Sequence, residues 1–406
     1  MLLTVSKRLE FSASRRLFLK QLSAEENRKL FGSETDARYG TGRNYTAWFA
    51  FSGEIDPATG MLVNISEIKA RAGAVIDDGY DHKFLNQDNS RFMDMVPTVE
   101  NIAWQLASDV APLFHDSGAE LWAVHLIESP GRSATAYADD WLESNYTFDF
   151  SAARQTMSPN LTAEENERLF GVASSPHGHG HNYRVRLTMR GKHGHQSVEI
   201  ADSRVRHAIN ALQSDLDHRN LNKEVAGLRN EPVTTEALAH YIFTRAAETL
   251  PIDRVRLNER DDFFAEYLQS GEYRLGMQLS FGAVHRLQSY KFSEEQNAEM
   301  YGKCNNPGGH GHLYLSEAAI GGAFDERSGT LFRFADFQTA MREAIQPWSN
   351  RHLDLETEEF RSIPSTGENI VTALWSKLND RLEHRLCRLR LWETPNNRFT
   401  LRRCFE

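Results

Sequence analysis

Phe281-Gly282-Ala283-Val284-His285-Arg286 decides how this chain is read, because diverged copies of it stand at two earlier places. The other copies are Phe11-Ser12-Ala13-Ser14-Arg15-Arg16 and Phe150-Ser151-Ala152-Ala153-Arg154. A second string follows each: Ser23-Ala24-Glu25-Glu26-Asn27 to Phe31-Gly32, Thr162-Ala163-Glu164-Glu165-Asn166 to Phe170-Gly171, and Ser293-Glu294-Glu295-Gln296-Asn297 to Tyr301-Gly302. Phe11 precedes Phe150 by 139 positions, as Gly32 precedes Gly171, and the next interval is 131 for both markers. Shared offsets of this kind mean three tandem copies of one unit. The boundaries fall at 1–141, 142–272 and 273–406.

Each unit reads strand, polar Glu/Asn insert, strand, helix, helix, strand, strand. In the third, the strands are expected over Tyr273 to Val284 and around His310 to Ile320, with a turn at Gly321 to Gly329 matched by Gly53 to Gly60. A helix starts near Asp336, with Phe337, Met341 and Ile345 about a turn apart. Thr98, Thr234 and Ser365-Thr366 offer hydroxyl caps for a second helix. Closing strands run through Trp122–Glu128, Val255–Glu259 and Leu389–Glu393, and residues 260 to 272 read as a linker. A four-stranded sheet with helices on one face leaves two edges unsatisfied. Three such α+β units satisfy them by closing into a twelve-stranded antiparallel barrel with the helices outside.

The 406 residues carry a net charge of -10, which argues against a nucleic-acid partner, whose binding face would be basic. Three cysteines, Cys304, Cys387 and Cys404, do not make a disulfide framework and fit a reducing, cytoplasmic setting. The first residues lack the apolar core of a signal peptide, and no stretch is apolar enough to span a membrane.

His310-Gly311-His312 is the sharpest chemical signal, since strand positions two apart point to one side. His285, on the partnering strand, supplies a third imidazole. Three His with one open position describe a catalytic Zn²⁺ site. Unit two keeps His179 and His181, with His177 nearby, but has Arg154 at the third position, so the site reads as vestigial. Unit one has Thr41, Arg43 and Arg15 there and retains nothing of it. His193 and His195 read as solvated turn residues. Cys304, in a Gly/Pro/Asn loop with five residues between it and His310, is placed to act as a base. Asp81-His82 and Asp217-His218 are matched acid/base dyads, lost in unit three, where Ser349-Asn350 stand. Glu128, Glu259 and Glu393 put a carboxylate at one strand end in every unit, suited to the N–H groups of an amino-pyrimidine ring.

These residues resemble the 6-pyruvoyl-tetrahydropterin synthase family, which also includes the 6-carboxy-tetrahydropterin synthases. The likeness is fullest in residues 281–286, 302–314, 365–369 and 391–397, with residues 80–86, 178–183 and 216–222 matching its frame. The resemblance implies the tunnelling fold, here as a covalent pseudo-trimer, and a homodimer of stacked rings. It implies Zn²⁺ on His285, His310 and His312, with Cys304 as base. Glu393, with Glu259, Glu128 and Thr366 as further candidates, would bind the pterin, and a dyad, Asp81-His82 or Asp217-His218, would come from a neighbouring unit. The implied reaction converts 7,8-dihydroneopterin triphosphate to 6-pyruvoyl-tetrahydropterin with loss of triphosphate, at one site per chain. The alternatives are 6-carboxy-tetrahydropterin synthase activity on the same substrate and an inactive pterin- or purine-binding scaffold.

Overall fold

The structure, a computed structural model, describes residues 1–194 and 200–403; His195 and Cys404 lie outside the described residues. Twelve strands follow one another round a ring. Unit one contributes β1 (Leu2–Arg15), β2 (Thr41–Ser52), β3 (Glu120–Ser129) and β4 (Arg132–Tyr137). Unit two contributes β5 (Trp141–Arg154), β6 (His179–Lys192), β7 (Ile252–Arg260) and β8 (Phe263–Leu268), and unit three β9 (Tyr273–His285), β10 (His310–Gly322), β11 (Leu386–Thr394) and β12 (Asn397–Arg402). Every strand pairs antiparallel with its neighbours in sequence, and β12 returns to β1 from Leu2↔Arg402 to Lys7↔Asn397. The sheet therefore closes, as expected for the tunnelling fold.

Alternation decides which side chains enter the barrel. On β6, Val185, Leu187 and Met189 are buried toward the helices, and the intervening Arg184, Arg186 and Thr188 point inward. The outer face of each unit is covered by two helices: Ile65–Gly79 and Val99–Val110, Asp202–Leu216 and Thr235–Ala247, Phe334–Ile345 and Gly367–Arg381. Ile68, Ala72 and Ile76, spaced by about one turn, form the buried stripe of the first. The second helix of each pair is capped by Thr98, Thr234 or Thr366, whose hydroxyl accepts from the backbone N–H three residues on.

Two expectations are corrected. The polar insert is a helix in every unit (Ala24–Phe31, Ala163–Phe170 and Glu294–Tyr301), opened by reciprocal capping boxes of Ser23 with Glu26, Thr162 with Glu165 and Ser293 with Gln296. Residues 260 to 272 are not a linker, because Phe263–Leu268 is strand β8, with Phe264 fully buried inside the barrel. Phe264 pairs with Gly276, whose missing side chain makes room for the ring: a Cβ there would lie 1.9 Å from it.

Candidate metal centre and its two remnants

His285 ends β9 and His310 begins β10, directly opposite each other in the ladder; His312, two residues on, shares their face. One nitrogen from each of the three rings lies within 4.8 Å of the others. His285 is fully buried, and its Nδ1 donates to the Ser365 carbonyl at 2.9 Å, which turns the lone pair of Nε2 toward Nε2 of His310, 3.2 Å away. His312 Nε2 and His310 Nδ1 are buried with no hydrogen-bond partner among the described residues. Converging imidazoles with orphaned nitrogens fit a Zn²⁺ ion. Burial first, then the neighbouring imidazoles, pulls His310 down to about 4, and burial also lowers His312, so both are neutral at physiological pH, as metal ligation requires. Glu393 Oε1 stands 3.7 Å from His285 Nε2 and 4.0 Å from His312 Nε2.

Cys304 lies in the 3₁₀ turn Gly302–Asn305 and is half-buried. Burial, and then the Glu393 carboxylate, push its thiol up, opposite to the direction a base needs. Glu393 itself accepts from Asn397 at 3.2 Å.

The matching positions elsewhere have become ion pairs. In unit two, the buried Arg154 stands opposite His179 and reaches Glu259 and Thr235, and His181 Nε2 lies 3.0 Å from Glu259. Although burial opposes it, the Arg154 guanidinium holds the Glu259 carboxyl well below its usual range. His179, His181 and Glu259 are close enough to share an ion, but Arg154 supplies the positive charge instead. In unit one, Arg15 and Arg43 both engage Glu128, and Arg15 also meets Glu34 at 3.2 Å. The carboxylates of Glu128 and Glu259 are thus committed to arginine, and that of Glu393 is not.

The dyads keep their local geometry. His82 Nδ1 meets Asp81 Oδ2 at 2.6 Å and His218 Nδ1 meets Asp217 Oδ2 at 2.9 Å. The N–H of Ser12, then His82 itself, lowers the Asp81 carboxyl; Ser151 and His218 do the same for Asp217. His82, His218 and Asn350 share a left-handed backbone (φ 55°, 56° and 60°), and each donates its N–H to Ser12, Ser151 or Gly282. Unit three has kept the frame and lost the chemistry. The rings of His82 and His218 are more than four-fifths exposed, and among the described residues neither bonds to Cys304. Topology separates them. Asp81-His82 is anchored on β1, which adjoins unit three through β12, whereas Asp217-His218 is anchored on β5, which adjoins unit one through β4.

Thr366 caps its helix and donates to the Gly60 carbonyl at 2.6 Å. Beside it is a residue the sequence reading passed over. Glu368 is buried, accepts from the Leu62 N–H at 3.0 Å, and is raised to about 7, chiefly by burial. Glu236 repeats this bond, accepting from the Leu331 N–H and also from Thr330, whereas Glu100 is taken by Arg132 and Ser144. A Glu recurring beyond a Thr cap in all three copies was the available signal. With Tyr301 donating to the Thr59 carbonyl at 2.7 Å, these contacts place the 59–62 turn of unit one against the unit three cluster.

A closed barrel of three ββααββ units, with an imidazole cluster intact on one of them, defines a covalent pseudo-trimer of the tunnelling fold. A profile described as 6-pyruvoyl tetrahydropterin synthase matches residues 4–139, 143–270 and 274–404, and the chain belongs to that family. It is 37% identical over 126 residues to the human 6-pyruvoyl tetrahydrobiopterin synthase, covering 30% of this chain and 87% of the relative. A putative 6-pyruvoyl tetrahydrobiopterin synthase of Caenorhabditis elegans is 36% identical over 127 residues, covering 31% and 91%. The solved structure of the Caenorhabditis elegans 6-pyruvoyl tetrahydropterin synthase is 34% identical, covering 32% of this chain and 96% of that one, with a TM-score of 0.32. No helix among the described residues is long and apolar enough to cross a membrane.

Proposed function

We propose that the chain is a 6-pyruvoyl-tetrahydropterin synthase, a lyase eliminating triphosphate from 7,8-dihydroneopterin triphosphate, with one Zn²⁺-dependent site per chain on unit three. The observation that carries this reading is the cluster of His285, His310 and His312 beside Cys304 and a Glu393 that no arginine clamps among the described residues, in a chain whose relatives bear that synthase's name. Zn²⁺ held by the three imidazoles would act as a Lewis acid toward the substrate's side-chain hydroxyls. Ser365 fixes the tautomer of His285, so the ligand set is organised before anything binds. Cys304, whose thiol is raised by burial and Glu393, would have its thiolate favoured by the positive charge of a bound Zn²⁺ and would then take a carbon-bound proton; Glu393 and Glu368 would offer carboxyl oxygens to the N–H groups of the pterin. Of the two dyads, Asp81-His82 borders unit three and is assigned to proton relay; Asp217-His218 borders the dismantled site of unit one.

The test is incubation of the reduced, zinc-loaded protein with 7,8-dihydroneopterin triphosphate, reading the pterin product by mass. A 6-pyruvoyl product, absent with His310→Ala, is expected. A 6-carboxy product would move the chain to the sister activity, and no turnover would make it a scaffold.

A further inference from the structure

The inside of the barrel carries a second cluster of charge, on the opposite face of the sheet from the imidazoles. A cavity of about 610 Å³ is lined by eight arginines and only three carboxylates, although the chain as a whole carries a net charge of -10. Four of those arginines have carboxylate partners: Arg254 with Glu143 at 3.2 Å, Arg274 with Glu272 at 2.8 Å, Arg388 with Glu266 at 3.0 Å and Arg390 with Glu317 at 2.9 Å. Arg186, Arg190 and Arg398 have none among the described residues. Instead, Arg190 lies over Trp141 at 4.9 Å and Arg398 over Trp48 at 4.7 Å. Such a contact with a ring face uses none of the guanidinium's N–H donors. The Nε atoms of Arg190 and Arg398 are buried without a hydrogen-bond partner among the described residues. Arg186 is enclosed by the barrel yet open to the solvent within it.

The field of this cluster registers on its neighbours. Burial, then Arg186, Arg398 and Arg390, drive His125 down to about 3, so it adds no charge of its own. Enclosure, then Arg256 and Arg254 for Arg186 and Arg402 for Arg398, lower the two guanidinium groups to about 10, and both stay charged at neutral pH. Three guanidinium groups without a carboxylate partner among the described residues, lining one cavity in which arginines outnumber carboxylates eight to three, match an anion that carries several charges along its length.

We propose that the barrel lumen binds a linear oligophosphate, of which inorganic triphosphate is the simplest representative, through Arg186, Arg190 and Arg398. Guanidinium–phosphate pairing is the chemistry that would recognise it. The proposal rests on the lumen alone and stands apart from the reading of the metal centre.

Calorimetric titration of the full chain with inorganic triphosphate, beside orthophosphate, tests it. One saturable site per chain is expected, with triphosphate bound more tightly than orthophosphate and weakened by added salt. Arg186→Gln and Arg398→Gln should each weaken it by roughly tenfold or more, while His310→Ala leaves it unchanged. Each arginine variant should also melt at the same temperature as the parent or higher in phosphate-free buffer, because it relieves repulsion; this shows that the variant is folded. Absence of saturable binding would overturn the proposal. So would binding that survives both arginine changes, or that disappears with His310→Ala.

Discussion

Cys304 and Glu393 are coupled through charge, and the coupling has a direction. Burial and the Glu393 carboxylate raise the thiol above its ordinary value, so in metal-free protein the thiolate is scarce at neutral pH. Its alkylation by iodoacetamide should climb steeply only in alkaline solution, and Glu393→Gln should move that rise to lower pH. Superimposable rate profiles for the two proteins would refute the coupling. Glu368 offers a second titration. Its folded value of about 7 lies above the 4.5 expected unfolded, so the ionised form opposes folding. Stability is then greatest below the unfolded value and falls as pH rises to about 7, by about 3 kcal/mol on this shift. Thermal melts across that range should show the loss in the parent and not in Glu368→Gln. In unit two, Arg154→Ala strands a buried Glu259 and should cost about 3–5 kcal/mol, read by urea denaturation.

At the scale of elements, the sequence showed the sheet and the outer helices because their apolar periods, 2 and 3.6, are unambiguous. What it hid had a local cause. The insert helices are short and almost wholly polar, with only one or two buried side chains each, so no stripe announced them; the cap residues three apart were the legible sign. Strand β8 was hidden because Asp261-Asp262 and Gly271 bracket it and resemble a linker, while its inward Phe264 breaks the polar-inside pattern. Gly276→Ala tests that placement. The added methyl would meet the Phe264 ring, and overpacking of this kind costs about 1–3 kcal/mol or more. Gly42→Ala, which meets nothing within 4 Å, should leave the melting temperature nearly unchanged. The candidate site divides the same way. His285, His310 and His312 were legible from strand spacing, but the arginine clamps on Glu128 and Glu259 join residues more than a hundred positions apart and needed the closed barrel to be seen.

For the whole molecule, the reading of one metal centre per ring predicts about one Zn²⁺ per chain by elemental analysis; three would show that Arg154 and Arg15 do not exclude the ion. Three linked units already close the ring, so light scattering should find a dimer at twice the 46.3 kDa of the chain, and a trimer would contradict this. His82→Ala should lower turnover by roughly a hundredfold or more and His218→Ala should barely change it, because only the first borders unit three. Equal effects would remove the dyad from the mechanism.

The three buried glutamates at matched helix starts no longer share one set of partners: Arg132 and Ser144 hold Glu100, whereas Glu236 and Glu368 still accept from the N–H of Leu331 and Leu62. In a ring of identical subunits any substitution is made three times over, so no reactive position can be exchanged for a stabilising one without emptying every site. Joining the copies end to end lifts that symmetry. Each position can then be altered once, and the two copies of a position that the chemistry does not use become free to serve as support. Such a ring also tolerates errors unevenly: with one metal centre per chain as proposed, damage to His285 is met by no spare, whereas a change at its equivalents Arg15 and Arg154 is felt only as a loss of rigidity.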